Sequence, residues 1–127
     1  MQGPRDIIAP LVVILACFSL AVPLGIQAKP KPPKGPTYSS VLPIFKKCTG
    51  CHSGPSPKHG LDLTSYANIM KGDTEGKVVI AKNPGKSRLS QAIHHSPGAK
   101  AMPPGSSLPA ASIGQIDAWI KAGAKEK

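Results

Sequence analysis

The 127-residue chain is short of acidic side chains, aromatic rings and cysteine, and each shortage removes a class of reading. Six Asp and Glu stand against sixteen Lys and Arg, giving a formal charge of +10 at pH 7. Nucleic-acid binding would need that charge interleaved with stacking aromatics. Aromatics make up only 4% of the residues and the lysines are scattered, so a nucleic-acid partner is not expected. What remains for the charge is a solvated surface and steering toward acidic patches on a protein partner. The scarcity of rings also limits the core. Beyond residue 28 only Tyr38, Phe45, Tyr66 and Trp119 are aromatic, in a chain with fifteen prolines and thirteen glycines. Domains this small are marginal on apolar burial alone, which leaves room for a metal or cofactor.

Cysteine occurs three times, as Cys17, Cys48 and Cys51. The last two lie three residues apart and would close too small a loop to staple a fold, because the entropic benefit grows with loop length. No second C-x-x-C pair and no H-x₃₋₅-H spacing accompanies them, so a zinc site lacks half its ligands. No pattern of parallel strands surrounds them either, and a thioredoxin-like dithiol lacks its frame.

The N-terminal stretch is set apart from the rest. Arg5 precedes the apolar run IIAPLVVILACFSLAVPLGI, residues 7–26, and Gln27-Ala28 precedes the first lysines. One charge, an apolar core and a small residue describe an export signal cleaved after Ala28. The run is also long enough to span a bilayer as an uncleaved anchor, and ILAC at 14–17 resembles a lipoprotein cleavage site. All three readings export the chain, to the periplasm or the outer face of the cytoplasmic membrane. Membrane association would come only through such an anchor or lipid. Residues 1–28 are therefore read as signal or anchor, 29–37 as a Lys/Pro-rich extended linker, and 38–127 as one domain.

Within that domain the patterning predicts three or four short helices, long loops and almost no sheet. YSSVLPIFKKC carries Val41, Leu42, Ile44 and Phe45 near helical spacing, with Ser40 as N-cap and Pro43 in the first turn. LTSYANIMKG reads as a helix capped by Thr64 or Ser65 and stopped by Gly72. SRLSQAIHH follows with Ser87 as N-cap. The last helix starts near Pro109, presents Ile113, Ile116, Trp119 and Ile120 on one face, and stops at Gly123.

The first helix leads into CTGCH, residues 48–52. C-x-x-C-H is the attachment signature of c-type haem. Two thiols on one helical turn can each add to a haem vinyl group, and the adjacent histidine can swing under the iron. A loop carbonyl within 53–58, of Pro55 or Pro57, is expected to orient the His52 ring through its other nitrogen. The other axial position has Met102, Met70, His59, His94 and His95 as candidates. Met102 lies in A-M-P-P, where two prolines stiffen the loop, whereas Met70 sits on an amphipathic helix and reads as core. The paired histidines end a short helix and read as solvated groups favourable to its dipole.

YSSVLPIFKKCTGCHSG, HGLDLTSYANIMKG, VVIAKNPGKSRL and AMPPGSSLPAASIGQIDAWIKAGA, in that order, resemble the small c-type cytochrome domain called the planctomycete type, within the class I cytochrome c group. The similarity spans about residues 38–124. It implies an all-α cytochrome c fold whose terminal helices cross, with Phe45 or Ile44 against Trp119. It further implies one covalently attached haem c, thioether bonds from Cys48 and Cys51, and iron ligation by His52 and Met102. Two departures, Ser112 where an acidic residue is common and Gly114 inside the last helix, touch no ligand. Arg88 is a candidate contact for a haem propionate. The expected activity is one-electron transfer between redox proteins without substrate turnover. The alternative is an open-site haem protein that binds a small gas or reduces peroxide.

Overall fold

A computed structural model describes residues 35–127. The predicted leader 1–28, with its anchor and lipidation alternatives, and linker residues 29–34 lie outside the described residues. Four α-helices follow one another: α1 (Tyr38–Phe45), α2 (Tyr66–Lys71), α3 (Arg88–Ile93) and α4 (Ala110–Lys121). Two 3-10 turns, Lys58–Gly60 and Pro84–Lys86, interrupt the connecting loops. Among the described residues there is no strand, only an isolated bridge between Asp73 and Gly76. The fold is all-α, as the patterning predicts.

The start of α1 differs from the expected one. Thr37, not Ser40, is the N-cap, and its side chain makes no cap bond. The Tyr38 amide instead donates to the Lys125 carbonyl at 2.9 Å, so the C-terminal tail takes up a donor that a helix start leaves free. Pro43 consequently sits inside the helix. The carbonyl its missing N–H leaves unmatched belongs to exposed Ser39, where water can serve it.

The later caps follow their sequence signals more closely. Ser65 Oγ accepts from the Asn68 amide at 3.2 Å, and α2 ends on Gly72 at φ +92°. Ser87 is the N-cap of α3 as expected, but its side chain makes no cap bond. The side chain is fully buried, where its Oγ accepts from the Ile80 amide at 2.9 Å and donates to the Asn83 carbonyl at 2.8 Å. Pro109 is the N-cap of α4 and not its first helical residue. At the other end the Gly123 amide donates to Ile120 O and the Ala124 amide to Trp119 O, at 2.9 and 2.8 Å. This doubly bonded reversal needs a residue with positive φ, and Gly123 supplies it at +106°.

Packing joins the two ends of the domain. Val41, Ile44 and Phe45 of α1 meet Ile116, Trp119 and Ile120 of α4, all buried. The Phe45 and Trp119 rings lie edge to face with centroids 5.9 Å apart, a favourable aromatic geometry. Tyr38 adds contacts to Trp119 and Tyr66 at 6.4 and 5.8 Å. Trp119 Nε1 also donates to the Lys125 carbonyl at 2.9 Å, and the Tyr66 hydroxyl donates to Ala124 O at 3.0 Å. The tail is thus pinned against both terminal helices. Helix α3 is tied to α4 through Asp117, which accepts from Ser90 Oγ and pairs with His94 Nε2, each at 2.6 Å. The predicted solvated role for His94 is therefore incomplete, because its ring reaches a carboxylate on the facing helix.

Gly114 lies exposed in the interior of α4, and a Cβ added there would meet nothing within 4 Å. Gly114→Ala should therefore raise the unfolding free energy by about 1 kcal/mol, the helix-propensity difference. Chemical denaturation of the two proteins checks this.

Candidate cofactor site

Beyond Phe45 the chain leaves the α-helix in tight turns. Cys48 N–H bonds to Phe45 O at 2.8 Å, and the Cys51 and His52 amides both bond to Cys48 O, at 3.2 and 3.1 Å. CTGCH, which the first helix is expected to lead into, is thus a run of turns. These still keep Cys48, Cys51 and His52 on one side of a cavity of about 570 Å³. That volume lies within the range of about 300–1,000 Å³ usual for small-molecule and cofactor sites.

Much of the cavity wall is apolar. Leu61, Leu63, Val78, Leu89, Ala92, Ile93 and Leu108 line it, and five of these (Leu63, Val78, Leu89, Ile93 and Leu108) belong to the buried core. Met102 lines the same cavity, together with Pro103 and Pro104. Of the other axial candidates only His59 joins it. Met70 packs against the core cluster, and neither His94 nor His95 lines the cavity. His59 sits at φ +57°, in the loop next to His52, and its Nε2 accepts from Lys100 Nζ at 3.0 Å. The structure thus singles out Met102 as the one methionine on the cavity wall among the described residues.

His52 is held by a carbonyl other than the expected one. Its Nδ1 lies 3.2 Å from Leu61 O, not from Pro55 or Pro57. The Leu63 amide returns a bond to His52 O at 2.9 Å, and the Lys58 amide bonds to Cys51 O at 3.1 Å. The loop 58–63 therefore folds back along CTGCH, which places a later carbonyl at the ring. A Nδ1–H donor leaves Nε2 as the free lone pair, the tautomer a metal ligand needs.

A propionate contact from Arg88 would compete with pairings that it already makes. Arg88 does line the cavity, but its guanidinium donates to Asp73 Oδ1 at 2.6 Å, Glu75 Oε2 at 2.8 Å and Gly76 O at 3.0 Å. Two carboxylates already neutralise it, so it acts as a strut that closes one wall. Burial pushes the Asp73 carboxyl up, but the Arg88 hydrogen bond, the Glu75 amide and the Arg88 charge outweigh it. The result is a carboxyl below its ordinary value.

Cys48 is half-buried and Cys51 exposed, both as free thiols. Burial pushes the Cys48 thiol up, only partly offset by Lys47. A redox-active dithiol needs the opposite, a thiol stabilised as thiolate. Among the described residues no three His, Cys, Asp or Glu side chains converge on a metal-ion site. Two unpaired thiols, an oriented imidazole and a thioether on the wall of one apolar cavity fit a c-type haem.

Residues 48–106 match the family model described as planctomycete cytochrome C. The matched segment contains both cysteines, His52 and Met102, while α1 and α4 flank it. A cytochrome c family implies covalently bound haem c, and Cys48 and Cys51 are both within the matched segment. No curated protein and no solved structure matches the chain.

The Asp73–Arg88 pair predicts a pH effect of definite sign. A carboxyl lowered in the folded state stabilises the fold above the ordinary carboxylate range and loses that contribution as pH falls through its native value. Between about pH 5 and pH 3 the stability of Asp73→Asn should therefore fall less steeply than that of the unmodified protein. Urea midpoints measured across that range test it.

Proposed function

We propose, from the match of residues 48–106 to the planctomycete cytochrome C family model, that the protein is an exported one-haem electron carrier with His/Met-ligated iron. The observation that carries this reading is the cavity itself. It gathers Cys48, Cys51, His52 and Met102 around a largely apolar floor, with charged side chains at its edges.

In this reading Cys48 and Cys51 would hold the haem through thioethers, and His52 and Met102 would ligate its iron. The haem supplies reversible exchange of one electron between Fe(III) and Fe(II), with the thioether favouring Fe(II) and a comparatively high potential. The chain's own residues do the rest. Leu61 O fixes the His52 ring, and Pro103 and Pro104 stiffen the segment that presents Met102. The apolar walls exclude water from the ligands. With His52 and Met102 both on the iron there would be no open position for a substrate, so turnover is not part of the proposed activity.

Lys47, Lys58 and Lys100 stand around the cavity, while Asp73, Glu75 and Asp117 are engaged by Arg88 and His94. Cations therefore face a docking partner with little acidic competition, which supports acidic redox proteins as donor and acceptor. The leader expected over residues 1–28 supports a place outside the cytoplasm, in the periplasm or tethered to the outer face of the membrane.

The competing reading is an open-site haem protein that binds a gas or reduces peroxide, and it requires Met102 to be off the iron. The oxidised protein should show the thioether-to-ferric-iron charge-transfer band, and Met102→Ala should lose it. A high-spin oxidised spectrum in the unmodified protein would favour the open site. Steering is tested separately. Reduction by a small anionic reagent should slow about tenfold as salt rises from about 0.01 M to about 1 M, while a cationic reagent should show the reverse trend. Equal rates at both salt concentrations would count against it.

A further inference from the structure

The segment that brings Met102 to the cavity is hung from the end of α3. The Ser96 amide donates to Gln91 O at 3.0 Å, and the Met102 amide to Ala92 O at 3.0 Å. On the other side of the Met102 Cα, the Met102 carbonyl lies 3.2 Å from His95 Nε2. The two peptide groups flanking that Cα are therefore both held, one by backbone and one by an imidazole. With both fixed, the direction in which the Met102 side chain leaves the backbone is fixed as well.

His95 has an unusual backbone for its type. Its φ is +53°, in the left-handed region, and its ring is exposed. Glycine takes that conformation freely and asparagine more readily than most residues. If the position only turned the chain, glycine would serve it better than histidine does. The neighbouring His94 points elsewhere, to Asp117 on α4. The two adjacent histidines thus divide the work, one latching α3 to α4 and the other reaching the loop.

We propose that His95 is a positioning residue for the axial thioether: its Nε2–H donates to the Met102 carbonyl and aims the Met102 side chain into the cavity. The inference rests on the proposed ligation by Met102. Removing the ring should leave the fold in place but loosen the thioether, so that an added ligand displaces it more easily.

The experiment uses the intact haem-loaded protein and its His95→Gly and His95→Gln variants. Imidazole is titrated into each oxidised protein while the thioether charge-transfer band is followed. Loss of one ordinary hydrogen bond should lower the half-saturating imidazole concentration of His95→Gly about three- to tenfold, with unchanged far-ultraviolet circular dichroism. His95→Gln, whose amide nitrogen has similar reach, should return it toward the unmodified value. If His95→Gly displaces as the unmodified protein does, or His95→Gln behaves like His95→Gly, the positioning role is overturned and His95 only turns the chain. Absence of the band from the unmodified protein overturns the Met102 ligation itself, and His95's role with it.

Discussion

The structure depends on a core that does not close on itself. Leu63, Val78, Leu89, Ile93 and Leu108 belong both to the buried cluster and to the wall of the cavity. In a domain with so few rings, the α1–α4 contact around Phe45 and Trp119 supplies one dense centre, and the remaining helices are arranged around open space. Apolar walls facing solvent would be costly at roughly 25 cal/mol per Å². A flat apolar group bound there would complete the core and let short helices and long loops make a domain. In the proposed reading the same side chains would stabilise the protein and bind the group.

The terminal helices translate that requirement into position. The tail residues Ala124 and Lys125 accept from Tyr66, Tyr38 and Trp119, so the start of α1 is fixed by the end of the chain. The end of α1 is thereby fixed too, and CTGCH follows it directly. The loop 58–63 holds His52 from one side, and α3 holds the Met102 segment from the other. Each axial candidate is thus positioned by backbone carbonyls on a neighbouring segment, which is how a small protein can orient a ligand without a large supporting shell.

Much of this was legible in the residues, and the boundary of legibility has a physical cause. CTGCH, the amphipathic faces of α1 and α4 and the stops at Gly72 and Gly123 are local signals, set by spacing and backbone sterics. Phe45 against Trp119 followed from the family resemblance. What the sequence did not show depends on contacts between distant segments. The start of α1 shifted because a carbonyl near the C terminus caps it. Leu61, rather than Pro55 or Pro57, reaches His52 because the loop folds back further than its composition reveals. Arg88 turned to Asp73 and Glu75, and His94 to Asp117, because pairings 12 or more residues apart carry no periodicity to read. His95 had one clue, a bulky residue just beyond a helix end, but its target lay beyond the loop.

The central claim is that Cys48 and Cys51 hold one haem covalently in this cavity. Its most direct test is the intact mass of the protein, purified from cells able to mature c-type cytochromes and measured under denaturing conditions. The account predicts the mass of the polypeptide plus one haem, and the mass of the polypeptide alone once Cys48 and Cys51 are replaced by serine. A native protein whose denatured mass carries no haem would contradict it.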